Sequence, residues 1–155
     1  MKIHIVALGH KMPAWVAAGV ADYQKRMPAE ARIDITDLKP EDRANRSIEK
    51  VLQLEAARLD AAIPKNTMRI VCDERGASLT TPQLAAWLKG WMTEGVSPCF
   101  VIGSADGLSP EFKKTAHHTI ALSGCVLPHG MVRVLLVEQL YRAWSLLHNH
   151  PYHRE

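Results

Sequence analysis

Short apolar runs alternate along the chain with longer stretches in which apolar residues recur at helical spacing. The short runs, rich in β-branched residues, predict strands at 2–9, 31–38, 67–73, 98–103 and 118–122. The longer stretches predict helices near 13–27, 44–62, 81–94, 110–116 and 131–147. Single strands separated by helices favour an α/β fold with a largely parallel sheet.

The last predicted helix, 131–147, is apolar around most of its circumference. At about 100° per residue its polar side chains share one sector about 120° wide: Glu138, Gln139, Arg142 and Ser145. Such a helix must be covered on more than one side, either by a partner subunit or as the central helix of a monomer. Arg133 stands alone opposite that sector, so it should meet an anion, a carboxylate or backbone carbonyls.

Length and composition indicate how many domains the chain forms and in which compartment it works. At 155 residues, 47% of them hydrophobic, the chain fits a single domain, 1–155. The start of the chain predicts a first strand and no export signal, and no apolar run has transmembrane length. Cys72, Cys99 and Cys125 lack CxxC spacing, which suits reduced thiols in the cytoplasm. A net charge of +3 permits an anionic partner without identifying one.

Three loops that follow predicted strands are candidates for a ligand site, because open parallel sheets bind ligands beyond the carboxyl ends of their strands. They are 72–76, 103–107 and 122–130. None has the spacing of a phosphate-binding motif, and 103–107 alone could be a plain tight turn. The apolar 122–130 loop would expose backbone groups able to bind an adenine edge.

The tail, 148–155, follows the last helix with three imidazoles, a phenol and a guanidinium. Frayed chain ends are usually rich in Ser, Gly, Lys and Glu, so this composition predicts part of a functional site. Metal binding by His148, His150 and His153 is a weaker alternative, because the tail lacks Cys or carboxylate partners at familiar spacing.

Several segments carry a resemblance to a known family: 9–13, 100–109, 122–129, 133–145 and 149–155. Together they resemble the bacterial 23S ribosomal RNA pseudouridine N3-methyltransferases of the SPOUT class. The resemblance covers nearly the whole chain. It implies a trefoil-knotted α/β domain, with a mostly parallel sheet flanked by helices, that works as a homodimer in the cytoplasm. It also implies S-adenosylmethionine as the cofactor and large-subunit ribosomal RNA, on the assembled ribosome, as the substrate, with no membrane partner and no metal.

Carried onto this sequence, the resemblance implies cofactor contacts in two glycine-bearing loops and at the end of the third strand: Cys72, Gly103, Leu122, Ser123, Gly124, Cys125, Val126 and Leu127. Two positions depart from the family pattern. Cys72 stands where leucine is expected, and Ser104-Ala105-Asp106 replaces a more usual Gly-x-Glu.

The tail supplies residues suited to methylation of an imide nitrogen, which must lose its proton first. His153 can accept a proton near neutral pH, Arg154 can stabilise negative carbonyl oxygens, and Tyr152 can stack on or hydrogen-bond the base. A simple binding role for all three residues is the alternative. Expected substrate contacts are His129, Arg133, Arg142 and His150. We expect each active site to combine the cofactor loops of one chain with the tail of the other. A ribosome-binding factor without catalytic activity is the main alternative.

Overall fold

The computed structural model describes residues 1–9 and 11–153. Strands and helices alternate as predicted, with bounds in chain order of β1 (Lys2–Leu8), α1 (Ala14–Arg26), β2 (Arg32–Leu38), α2 (Ile48–Ala62), β3 (Thr67–Ser78), α3 (Thr81–Glu94), β4 (Ser97–Ile102), α4 (Pro110–Lys113), β5 (His118–Ala121) and α5 (His129–Leu147). Two 3-10 turns, Ala29–Ala31 and Pro151–His153, complete the described part of the chain.

The five strands form one sheet in the order β2-β1-β4-β3-β5, and every pairing in it is parallel. This confirms the α/β prediction. The central strands are apolar on both faces because helices cover both, as parallel sheets require. The trefoil knot that the family resemblance implies stays a prediction, since strand order and pairing do not record how the chain is threaded.

Alternate residues of the central strands pack against helices on opposite faces of the sheet. Ile5 and Phe100 face the core formed with α1, α3 and α5, whereas Val6 and Val101 face the smaller core formed with α2 and α4. Within residues 1–9 and 11–153, no helix is long and apolar enough to cross a membrane.

Helix α5 packs between α1 and α3. Leu136, Val137 and Leu140 are therefore buried within the chain itself. The central position of α5 therefore accounts for most of its apolar surface, and that surface does not by itself require a partner subunit. Only its first turn leaves a large apolar side chain exposed, that of Met131.

Three local features differ from the sequence prediction. Strand β3 continues past 73 to Ser78 through a bulge at which Cys72 and Ala77 both pair with Ile120, so the 72–76 loop is part of the strand. Helix α2 begins at 48 rather than near 44, because the Ser47 side chain accepts a hydrogen bond from the Lys50 amide. The charged sequence of 39–46 predicts a mobile, solvated loop, but hydrogen bonds tie this segment to the rest of the chain.

Candidate functional site

A cleft of about 540 Å³ opens at the carboxyl ends of the central strands. Its size lies in the range of small-molecule sites. All three loops predicted from the sequence contribute to it, and the lining residues include Cys72, Asp73, Ile102, Gly103, Asp106, Leu122, Ser123, Cys125, Leu127, His129 and Val132. The position follows from the parallel sheet, whose strands all deliver their following loops to one edge.

The 103–107 loop is a tight turn that forms one wall of the cleft. The Gly107 amide donates to the Ser104 carbonyl at 2.9 Å, and Gly107 has a φ of 78°, which glycine adopts without strain. A Cβ on Gly103 would lie 2.9 Å from the Gly107 carbonyl oxygen. Residue 103 therefore has no room for a side chain while the turn keeps this shape.

Six of the eight residues expected to bind the cofactor line the cleft: Cys72, Gly103, Leu122, Ser123, Cys125 and Leu127. The other two, Gly124 and Val126, are not among the lining residues. A Cβ on Gly124 would meet open space, and the Val126 side chain is 80% exposed. Ser123, Cys125 and Leu127 thus line the cleft, whereas Gly124 and Val126 between them do not.

Cys72 behaves as a small apolar residue within this site. Burial raises the pKa of its thiol to about 12, so the thiol stays protonated at neutral pH. Beside it, Asp73 pairs with Lys113. Burial opposes ionisation of Asp73, but the hydrogen bonds from Lys113 and the Arg75 amide leave its pKa below the usual value. The cleft consequently holds an ionised carboxylate next to a neutral thiol.

His129 connects the cleft to a buried arginine. Arg133 is 5% exposed. Its Nε donates to Nε2 of His129 at 3.2 Å, and Nη2 donates to the Gly9 carbonyl at 2.8 Å. Nη1 pairs with Asp37. The prediction that Arg133 meets an anion, a carboxylate or backbone carbonyls is confirmed by the Asp37 carboxylate and the Gly9 carbonyl. Burial, and then the charge of Arg133, lower the pKa of His129, so its imidazole is neutral.

Residues 148–153 of the tail lie at the opposite end of α5 and pack on their own chain. The Tyr152 hydroxyl donates to Oε1 of Glu138 at 2.9 Å and lies 2.9 Å from the Tyr23 hydroxyl. Glu138 also pairs with Arg142 at 2.8 Å. Burial and the hydrogen bonds with Tyr23 and Glu138 raise the pKa of Tyr152. The protonated hydroxyl of Tyr152 therefore anchors the tail to α1 and α5, and stacking of its ring on a base stays a prediction.

The remaining tail residues differ in how they are held. Nδ1 of His148 lies 2.9 Å from the Trp144 carbonyl oxygen, and Nδ1 of His150 accepts from the Tyr152 amide at 3.2 Å. Nδ1 of His153 is buried and has no hydrogen-bond partner among the described residues. Arg154 lies outside the described residues. No three His, Cys, Asp or Glu side chains of residues 1–9 and 11–153 form a metal-binding group, so the alternative of a histidine metal site gains no support.

The length of α5 separates the cleft from the tail. The helix has 19 residues, which at 1.5 Å per residue is about 28 Å. His129, at its start, lines the cleft, whereas the tail begins after Leu147. The structure therefore does not bring residues 148–153 to the cleft of their own chain, and the expected site that combines the loops of one chain with the tail of the other stays a prediction.

Sequence reasoning missed one functional candidate, Glu55. Its side chain is 1% exposed and accepts a hydrogen bond from Ser104 of the cleft turn at 2.8 Å. The signal was present in the sequence, because Val51, Glu55 and Leu59 follow one another at four-residue spacing on the buried stripe of α2. A carboxylate in such a stripe needs partners from another element.

A parallel sheet with helices on both faces and a small-molecule cleft at its carboxyl edge defines the class of α/β proteins that bind a ligand in the loops after their strands. Residues 1–153 match the family described as "Predicted SPOUT methyltransferase". The chain belongs to the SPOUT methyltransferase family.

Curated relatives match over nearly their whole length. The chain is 57% identical over 155 residues to "Ribosomal RNA large subunit methyltransferase H" of Ralstonia pickettii (strain 12J), covering 99% of each chain. It is 54% identical, with the same coverage, to the protein of that name from Burkholderia thailandensis.

Solved structures support the fold alone. A methylase family protein from Haemophilus influenzae Rd KW20 superposes with a TM-score of 0.58 at 12% identity, covering 99% of this chain and 70% of that one. A methylase family protein from Neisseria gonorrhoeae gives a TM-score of 0.54 at 15% identity, covering 90% and 81% respectively.

Proposed function

We propose that this protein transfers a methyl group from S-adenosylmethionine to N3 of a pseudouridine in large-subunit ribosomal RNA, on the assembled ribosome in the cytoplasm. Membership of the SPOUT methyltransferase family supports the reaction type. Relatives named for the large-subunit RNA, 54–57% identical along the whole chain, support the substrate class. The observation that carries the proposal is a cofactor-sized cleft formed by the loops that the resemblance implied.

The lining of the cleft fits S-adenosylmethionine. Leu122, Leu127 and Ile102 offer apolar surface for a purine, and Gly103 and Ser123 lie where the backbone can approach a ligand closely. Asp73, which is ionised and paired with Lys113, offers its carboxylate to the ammonium or sulfonium of the ligand, and Lys113 offers a cation to the carboxylate of the ligand. Gly124 and Val126, on the outward side of the loop, would support its shape. The bound cofactor supplies an electrophilic methyl group; the chain must orient it and exclude water.

We further propose a homodimer in which each active site takes its cofactor loops from one chain and its tail from the other. The separation of about 28 Å along α5 supports this arrangement, because it keeps a tail from its own cleft. Three exposed apolar side chains support the contact between chains: Trp15 at the start of α1, Val126 in the loop before α5, and Met131 in the first turn of α5.

In that composite site His153 accepts the imide proton and Arg154 stabilises the negative charge that develops on the flanking carbonyl oxygens. Tyr152, hydrogen-bonded to Glu138, fixes the direction of the tail and is not the base, because its pKa is raised. Arg142, which pairs with Glu138 beside Tyr152, and His150 of the tail contact the RNA. Arg133, which is buried, acts through His129 at the cleft.

One experiment tests cofactor, reaction and substrate together. The protein is incubated with ribosomes and methyl-labelled S-adenosylmethionine, and the label is mapped by nuclease digestion and mass spectrometry. Label on N3 of a large-subunit pseudouridine is the expected result. Binding to ribosomes without transfer of label would instead identify a non-catalytic ribosome-binding factor.

The origin of the tail is tested by mixing two inactive chains. A chain lacking 150–155 and a Gly103→Val chain are co-expressed with different tags and purified as the heterodimer. If the tail acts in the neighbouring chain, the heterodimer has one intact composite site and regains about half of the wild-type rate per dimer. An inactive heterodimer would refute the trans arrangement.

A further inference from the structure

A buried carboxylate on α2 joins two loops that are far apart in sequence. Oε1 of Glu55 accepts from the Ser104 hydroxyl at 2.8 Å, and Oε2 accepts from the Glu41 amide at 3.0 Å. Nη1 of Arg43 adds an ion pair to Oε2 at 3.3 Å. Because an ionised carboxylate is costly to bury without such donors, the 39–46 loop and the 103–107 turn are held at one point.

Arg43 also reaches the outer side of the turn. Its Nε and Nη2 donate to Oδ2 of Asp106 at 3.0 Å and 2.9 Å, and Nη2 lies 3.0 Å from the Ser104 hydroxyl. Hydrogen bonds between a guanidinium and a carboxylate are stronger than neutral ones, and the planar donor group fixes their direction. The turn is thus fastened at Ser104 and again at Asp106.

We propose that Arg43 and Glu55 form a latch that fixes the 103–107 turn in the shape required for S-adenosylmethionine binding. The inference rests on the proposed function for the identity of the ligand. Neither residue is among those that line the cleft, whereas the whole turn does line it. They are positioning residues, which lower the ordering cost of binding by holding the turn before the ligand arrives.

A matched pair of variants tests the latch. Arg46 lies in the same loop and pairs with Glu41 at 2.9 Å, but its hydrogen bonds do not reach the turn. Calorimetry with S-adenosylmethionine should show affinity weakened at least about tenfold in Arg43→Met and changed less than about twofold in Arg46→Met. In methyl transfer, KM for S-adenosylmethionine should rise while kcat at saturating cofactor is kept. A folded Arg43→Met protein with wild-type affinity would overturn the proposal.

A double-mutant cycle shows whether Arg43 acts through the turn. If it does, Arg43→Met combined with Asp106→Asn should weaken cofactor binding no more than the stronger single variant. Fully additive losses would mean that the two side chains affect binding independently, which contradicts the latch. These substitutions are at the half-exposed end of the network, so the test does not depend on a variant of buried Glu55 that could fail to fold.

Hydrogen exchange separates failure of the latch from failure of the proposed function. The Gly107 amide, which donates to the Ser104 carbonyl, should exchange at least about tenfold faster in Arg43→Met than in the wild type or Arg46→Met. This measurement needs no ligand. If the wild-type protein bound no S-adenosylmethionine, the proposed function would fail. The difference in Gly107 exchange rate between Arg43→Met and the wild type would still show whether Arg43 holds the turn. An unchanged Gly107 rate would overturn the latch itself.

Discussion

Adding one methyl group to Gly103 should damage cofactor binding, whereas the same change at Gly124 should not. A Cβ on Gly103 would lie 2.8 Å from Cγ of Leu108 and 2.9 Å from the Gly107 carbonyl oxygen. Contacts this short cannot persist, and the second involves backbone, so the turn itself must move. A Cβ on Gly124 has no heavy atom within 4 Å. The two glycines lie in the two loops that the resemblance assigned to the cofactor and so form a matched pair.

Overpacking a well-fitted site costs about 1–3 kcal/mol. If the strain is relieved by displacing the 103–107 turn, that range corresponds to S-adenosylmethionine binding weakened roughly 5- to 150-fold in Gly103→Ala. Gly124→Ala should bind within about twofold of the wild type. Titration calorimetry measures both affinities, and thermal melting confirms that each variant is folded.

Two results would refute this reasoning. Gly103→Ala binding as tightly as the wild type would show that the turn can accept a side chain or does not shape the ligand site. Equal losses in Gly103→Ala and Gly124→Ala would show that both loops respond to any added bulk, contrary to the open space around Gly124.

Three further predictions concern the rest of the site. The pKa of His129 lies below its usual 6.5, so as the pH falls through 6.5 the unfolded chain binds a proton that the folded chain does not. The melting temperature of the protein should therefore drop on acidification, and it should drop less in His129→Gln. Tyr152→Phe loses hydrogen bonds worth about 1 kcal/mol; single-turnover assays should show slower methyl transfer with unchanged cofactor affinity, and an unchanged rate would contradict the anchoring role. Met131→Glu should halve the mass seen by light scattering, whereas Ile48→Glu, at an exposed apolar site on α2, should leave it unchanged; a dimeric Met131→Glu protein would place the interface elsewhere.

Much of the fold could be predicted because local signals agree with the tertiary structure. Ser109 caps α4 by accepting from the Phe112 amide, as a hydroxyl before a proline indicates. At α3 the same reasoning points to Thr81, but Thr80 is the cap. The Thr81 hydroxyl instead donates to the Gln139 side chain on α5 at 2.6 Å. A contact across 58 residues leaves no trace in the local pattern.

The site was predictable in its loops but not in its connections. Strand ends located Gly103 and Leu122, because parallel strands bring their carboxyl ends together. The side-chain contacts between elements could be seen only in the structure. Examples are the hydrogen bonds of Tyr152 with Tyr23 and of Arg43 with Asp106. Such long-range polar contacts depend on side-chain geometry across elements, which hydrophobic periodicity does not encode.

The distance between cleft and tail along α5 has a kinetic consequence under the proposed arrangement. A solitary chain carries half of each of two sites and can complete neither. Below the dissociation constant of the dimer, the rate of methylation then rises with the square of the protein concentration, and above it only in proportion. Halving the amount of protein would therefore cut activity fourfold in dilute conditions, which makes the enzyme sensitive to its own abundance in a way that a self-sufficient monomer is not.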